Sequence, residues 1–463
     1  TQYSLLSTIG RLNYDYKGKY LLQGAVRNDG SSRFRADRKY RYFPSVSAGW
    51  IITDEKFMDT FKGINLLKLR ASYGITGNND IGNYTAIPVL NNYNYVLNGV
   101  LVPGQTIGSL GNSELSWERN KQLDLAVDLE ILHNRISFTY DYYHKVTDCM
   151  IEARPIPRAS GFTTINYNIG AFEFWGHEFT LNTINTTGKV KWTSNLNVSI
   201  DRNIITSLVS PGFIRRNNTT SSDYYRNQVG HHLGEFYGFV FEGLYKDAAD
   251  LANSAKYVSG AQHSDIGTMK MKDINGDGVI DDVNDRTFIG DPTPDFTFGF
   301  TNNFVYKNFD LNIHMSGQVG GHILNAAKWA YQTNIDGSRV PLAAALDHWR
   351  SEADPGSGVY PRTETNTTAI SREVNTQWLE SGTYLTVKNI SLGYTFDLKR
   401  SNLLMKKLRL YLSVQQAFTI TGYSGMNPEI SFSGLDATQG IGVDENAYPV
   451  PRTYSMGVSA TFK

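Results

Sequence analysis

Along most of the chain apolar and polar residues alternate with a period of two rather than 3.6, which predicts strands and not helices. Leu12, Tyr14 and Tyr16 share one face, against Arg11, Asn13 and Asp15 on the other. Lys17-Gly18 then reads as a tight turn. Beyond it Tyr20, Leu22, Gly24 and Val26 alternate with Gln23, Ala25 and Arg27. The same alternation returns in Leu67, Leu69, Ala71 and Tyr73, and in Leu123, Leu125, Val127 and Leu129. It returns again in Ile136, Phe138, Tyr140 and Tyr142, and in Val190, Trp192, Leu196, Val198 and Ile200. The final segment repeats it with Tyr454, Met456, Val458, Ala460 and Phe462.

The pattern predicts 13 strands, at 4–16, 19–28, 43–52, 66–76, 120–132, 135–147, 171–184, 189–201, 295–306, 308–319, 384–397, 406–418 and 452–462. They run to roughly 10–14 residues, where soluble strands have a mode near 5–6. Connections alternate in length. Short ones fall near 17–18, 53–65, 133–134, 185–188, 307 and 398–405, and long ones near 29–42, 77–119, 148–170, 202–294, 320–383 and 419–451. Short turns on one side with long loops on the other predict an all-β, transmembrane antiparallel β-barrel whose long loops are extracellular. An odd count conflicts with the even strand number usual in single-chain bacterial barrels. An open sheet edge is also costly in lipid. Residues 1–463 are therefore expected to be the C-terminal portion of a larger barrel.

Composition agrees once it is divided between two faces. Lys+Arg and Asp+Glu are 44 each, so the net charge is zero, which argues against a nucleic-acid binder. The single cysteine, Cys149, excludes an intrachain disulfide and a cysteine zinc site. No apolar run approaches the roughly 18 residues of a spanning helix. Thr1 through Leu6 has no cationic start and no small-residue cleavage site, so it does not read as a signal peptide.

Several segments, spread along the chain in order, resemble the SusC/RagA-like TonB-dependent transporters of Bacteroidetes. They include Tyr20-Leu-Leu-Gln-Gly-Ala-Val-Arg-Asn-Asp-Gly-Ser-Ser-Arg-Phe34, Phe43-Pro-Ser-Val-Ser-Ala-Gly-Trp50, Leu69-Arg-Ala-Ser-Tyr-Gly74 and Gly234-Glu-Phe-Tyr-Gly238. Met271-Lys-Asp-Ile-Asn-Gly-Asp-Gly-Val-Ile-Asp-Asp282, Asp285 through Phe300, Trp378 through Leu392 and Tyr448 through Phe462 complete the set. The resemblance implies a barrel of about 22 strands, of which these would be the last. It also implies an N-terminal plug, TonB as the drive acting through a region absent from this chain, and a SusD-like lipoprotein as lid. Location in the bacterial outer membrane, in contact with its lipid, follows from the same resemblance.

Asp273-x-Asn275-x-Asp277-Gly278-Val279-x-Asp281 resembles a calcium loop, with oxygen donors at positions 1, 3, 5 and 9 and the Val279 carbonyl at position 7. Position 12 is Asn284, so Asp285, one residue late, is the candidate acid. A hydrogen-bonded Asx/Gly loop without Ca2+ satisfies the same pattern. Candidate substrate-binding aromatics are Tyr224, Tyr225 and Tyr237 in one long loop, and Trp329 and Trp349 in another. Such side chains grip sugar rings or peptides when exposed, or pack loops together when buried. His231-His232 reads as an ordinary loop position, and Asp124, Asp128 and Glu130 as lumen lining. No catalytic motif is present. The expected function is TonB-dependent import of oligosaccharides or oligopeptides, with no bond broken. The alternative is a secreted all-β protein that binds or cleaves glycans.

Overall fold

A computed structural model describes residues 2–209, 213–217, 223–259, 262–328, 331–332, 340–363, 373–398, 404–430, 442–445 and 447–462. Its principal sheet has 13 strands. They are β1 (Leu5–Tyr16), β2 (Tyr20–Ser31), β3 (Tyr40–Ile51), β4 (Ile64–Asn78), β5 (Glu118–Ile131), β6 (Ile136–Pro155) and β7 (Thr164–Thr187). The rest are β8 (Val190–Leu208), β9 (Phe296–Tyr306), β10 (Phe309–Val319), β11 (Tyr384–Asp397), β12 (Met405–Thr421) and β13 (Thr453–Phe462). Sheet order follows chain order, and β1 and β13 each have one neighbour. Every expected strand is present, and short and long connections alternate as expected. Among the described residues no helix is long and apolar enough to cross a membrane.

By contacts the chain divides into two compact units. The first comprises Thr1–Asn185 with Asn195–Gly212, the second Thr186–Ser194 with Phe213–Lys463.

In the first unit the turn after β1 follows from its residues. Lys17 and Gly18 both take positive φ, 58° and 69°, as the central pair of a type I′ turn closed by Lys19 N–H on the Tyr16 carbonyl requires. The Asp15 carboxylate accepts from the Gly18 N–H at 2.7 Å. Beside this turn Tyr20 lies 6.3 Å from Tyr16 and 6.4 Å from Trp50, an aromatic group at the end of the strands. The apolar side of the sheet is open to its surroundings, with Leu12 74% exposed. The opposite side is polar and bonded: Arg70 to Asp128 and Asp141, Ser72 to Asp124, and Tyr143 to Asp201.

Strands β6 and β7 outrun their expected ends. Cys149 has φ 57° at a bulge where pairing shifts between Asp148 and Met150, and the ladder then resumes to Pro155↔Thr164. A bulge moves following side chains to the other face, which hides the continuation from a period-two reading. The connection around 77–119 also holds an unforeseen hairpin, Val89–Leu97 with Val100–Ser109, turned at Asn98-Gly99. Loop-side packing here centres on Leu115 and Trp117, with Phe34, Phe43 and Ile81 around them.

In the second unit β9 through β13 repeat the two-faced pattern. Met456 is 82% exposed on the apolar side, while Arg409 grips Asp310 at 2.9 and 2.5 Å on the polar side. The long connections of this unit build a packed layer of their own. Phe236–Phe239 pairs with Asp223–Gln228 and with Arg286–Gly290. His322–Asn325 pairs antiparallel with Leu379–Ser381 and parallel with Val443–Asp444. Leu324 and Asn325 lie in a strand because tertiary partners supply the ladder.

Candidate functional site

The loop Asp273–Asp285 leaves the strand Met269–Met271 and enters the strand Arg286–Gly290. Gly276 and Gly278 hold φ of 76° and 82°, which turns the backbone back over the Asp273 side chain. Asp273 then accepts from the Gly276 and Gly278 N–H groups at 2.7 and 2.8 Å. Asn275 accepts from Asp277 N–H at 3.2 Å, and Asp277 from Val279 N–H at 2.8 Å. Asp281 accepts from the Asn284 and Val283 N–H groups, bonds that hold its carboxyl below the usual range. Ile280, next to Val279, plugs the loop into the apolar cluster below.

Asp285 is fully buried. Its two oxygens accept from Ile274 N–H and Asp281 N–H, each at 2.8 Å, so it ties the two sides of the loop together. The loop thus offers oxygen donors alone, the set a hard cation takes, while Asp285 bonds the loop's own backbone.

The candidate tyrosines are buried. Tyr224 and Tyr225 are 4% exposed and Tyr237 is 9% exposed. Tyr224 and Tyr225 join Phe236, Leu324, Val374, Trp378 and Val443 in one core, and the Tyr224 hydroxyl donates to Glu445 at 2.6 Å. Tyr237 stands edge-on to Phe288 at 5.3 Å, under the Arg226 and Arg286 guanidinium groups at 4.6 and 5.5 Å. Of the two readings open from the sequence, these three tyrosines take loop packing: the long loops fold on one another and use the rings as their core. Trp349 is half-buried against a second core of Phe239, Leu244, Tyr257, Met269, Met271 and Ile280. It lies over Gly267, where a Cβ would come within 2.5 Å of the indole. Trp329 lies outside the described residues.

His231 and His232 lie in a loop, as expected, beside two carboxylates. Gly230 and Gly234, at φ 87° and 83°, bracket a tight turn that brings Glu235 back to both histidines. His231 Nδ1 is 2.9 Å from Glu235 Oε2, and its ring stacks on Phe288 at 3.6 Å. His232 Nδ1 is 2.5 Å from Asp291 Oδ2. Among the described residues His232, Glu235 and Asp291 are the one group of three such side chains with ligand atoms within 4.8 Å of one another. The His232-x-x-Glu235 spacing was visible in the sequence; Asp291, 59 positions on from His232, carried no local signal. Asp124 and Asp128 lie in the hydrogen-bonded polar face of the sheet, as lumen lining should.

Comparison with known proteins adds to this geometry. The model of the family described as TonB dependent receptor-like, beta-barrel matches residues 1–415. The chain is 33% identical to TonB-dependent receptor P3 of Formosa agariphila, an alignment covering 99% of this chain and 45% of that protein. It is 28% identical to TonB-dependent receptor SusC of Bacteroides thetaiotaomicron, covering 100% of this chain and 44% of the relative. Among solved structures, the RagAB peptide transporter superposes with a TM-score of 0.81 at 24% identity, over 99% of this chain and 47% of that one. The chain spans about half the length of the curated relatives it matches.

Proposed function

Because the chain belongs to the family of TonB-dependent receptor β-barrels of the bacterial outer membrane, we propose that it is the C-terminal barrel portion of an importer for oligosaccharides or oligopeptides. A SusD-like surface lipoprotein would close over the bound cargo, and TonB would supply the drive through segments outside this chain. No bond is broken. The chain's own residues bind, orient and admit the cargo.

One observation carries this reading: in both units the main sheet leaves large apolar side chains exposed on one face, among them Leu12, Leu22, Leu412 and Met456, while side-chain hydrogen bonds knit its polar face. Lipid solvates such an outer face and an aqueous lumen the inner one. A secreted all-β protein would bury its apolar face instead, so the alternative drawn from sequence loses its support. A RagAB structure 25% identical to this chain is described as a peptide importer, which keeps oligopeptides beside oligosaccharides as cargo.

We further propose that Asp273, Asn275, Asp277, the Val279 carbonyl and Asp281 hold Ca2+. Asp285 would brace the loop from below. The ion would stiffen a long extracellular loop and take no part in transport chemistry.

The test is uptake by cells carrying or lacking the full-length gene, with fluorescent oligosaccharides and oligopeptides of matched size. Loss of uptake of one class on deletion supports import and names the cargo. Unchanged uptake of both, or a purified protein that stays monodisperse without detergent, overturns the reading.

A further inference from the structure

We propose that His232, Glu235 and Asp291 form a binding site for a borderline divalent metal ion of the Zn2+ class. The site would staple the turn at Gly230–Gly234 to the segment that leads into β9.

Its donor set is one imidazole nitrogen and two carboxylate oxygens, the mixed set that borderline cations take and that Ca2+ does not. The separations suit one ion. His232 Nδ1 lies 2.5 Å from Asp291 Oδ2 and 3.8 Å from Glu235 Oε1. Ligands at about 2.0–2.1 Å from a tetrahedral ion stand about 3.3 Å apart, between those two values. Sub-ångström side-chain shifts would admit the ion, and water would take its fourth position.

The surroundings hold these donors in place. The second oxygen of Glu235 bonds His231 Nδ1 at 2.9 Å, and the second oxygen of Asp291 accepts from Thr293 N–H at 2.8 Å. Asp291 thus has one oxygen tethered and the other turned to His232 Nδ1, while Glu235 Oε1 faces His232 and also accepts from its backbone N–H at 3.1 Å, a bond that leaves a second lone pair for an ion. His231 is itself fixed by its stack on Phe288. Such outer contacts orient ligands and raise affinity in metal sites. Gly234 N–H donates to the buried Asn227 side chain at 3.0 Å, which locks the turn. All three ligands are half-buried, so an ion can enter from solvent. The site shares no residue with the Asp273 loop.

The experiment uses the purified full-length protein in detergent, stripped with chelator and titrated with Co2+ as a spectroscopic probe and then with Zn2+. One equivalent of Co2+ with intense tetrahedral visible bands, displaced by Zn2+ but not by Ca2+, is expected. His232→Ala and Asp291→Asn should each weaken binding by at least about 100-fold, and His231→Ala by about 10-fold. Asp273→Ala should leave it unchanged, and His232→Cys should restore it in part. Weak octahedral bands, no bound Co2+, or equal binding by His232→Ala would overturn the proposal. Should a variant fail to fold, the Co2+ spectrum of the unaltered protein decides alone.

Discussion

Arg70 and Asp128 sit one diagonal apart on adjacent strands of the polar face and share two parallel contacts, at 2.8 and 3.0 Å. Directly opposite Arg70 is Ala126, and opposite Ala126 on the next strand is Asp141. Because Ala126 is small, the guanidinium crosses over it and reaches Asp141 at 3.0 Å. One cation thereby bridges two carboxylates, and the three side chains stand on three adjacent strands. Arg70→Met is expected to leave Asp141 without its ion pair and Asp128 with only the bond from the Thr139 hydroxyl at 3.3 Å, and to cost on the order of 1–2 kcal/mol. Heat-modifiable mobility on gels should show the variant unfolding at lower temperature. Arg70→Lys should recover only part of the loss, because an ammonium cannot make the two parallel contacts.

Asp285 gives a sharper prediction. Asp285→Ala strands two N–H groups, those of Ile274 and Asp281, and should destabilise the loop by about 2–4 kcal/mol. Limited proteolysis should then cut between Asp273 and Asp285, where the unaltered protein resists. Asp285→Asn keeps one acceptor oxygen and should be cut more slowly than the alanine variant. Equal resistance in all three proteins would contradict the tie described here.

Calcium should act on the same loop from the other side. Adding Ca2+ to chelator-treated protein is expected to slow proteolysis of that segment, and Asp273→Ala should remove the effect. Protection that survives in Asp273→Ala would place the ion elsewhere.

Gly238 packs against the Val374 carbonyl so closely that a Cβ has no room. The contact is backbone against backbone, so no side chain can rotate away. Gly238→Ala should cost about 1–3 kcal/mol and separate the loop core around Trp378. Tryptophan fluorescence should shift to the red. An unshifted spectrum would mean that the strand Phe236–Phe239 yields without disturbing its neighbours.

A loop pair sets an acid limit. The Lys270 ammonium, 2.8 Å away, holds the Asp250 carboxyl down at about 2, with help from Lys246 N–H. The folded value is below the unfolded one, so the contribution is present above about pH 4 and is lost as pH falls toward 2. Solvent reaches the pair, which trims the contribution to on the order of 1 kcal/mol. Hydrogen exchange in Ala248–Asn253 should quicken over that window, and Lys270→Met should flatten the response.

The strands were legible because their signal is local. Leu12, Tyr14 and Tyr16 declare a face without reference to any partner, and Lys17-Gly18 declares its turn. Asn98-Gly99 carried an equally local signal for the hairpin Val89–Ser109, which the length of the surrounding connection masked. Cys149 hid the continuation of β6 because a bulge breaks the period on which the reading depends. In the loop layer Asp273 through Asp281 could be read, since consecutive residues turn on one another; the inward turn of Asp285 could not, since burial comes from neighbours.

Period-two alternation along the chain by itself determined the thirteen strands, their two faces and the side on which the loops are long. Alternation needs only the geometry of an extended backbone, in which successive side chains point to opposite sides. Tertiary structure alone decided what those loops do with their side chains. Tyr224 became core because Leu324 and Val443 meet it there, and His232 found Asp291 because β-pairing carries Arg286–Gly290 alongside Phe236–Phe239. These partners are dozens to hundreds of residues apart, and only closure of the intervening chain brings their chemistry to one place.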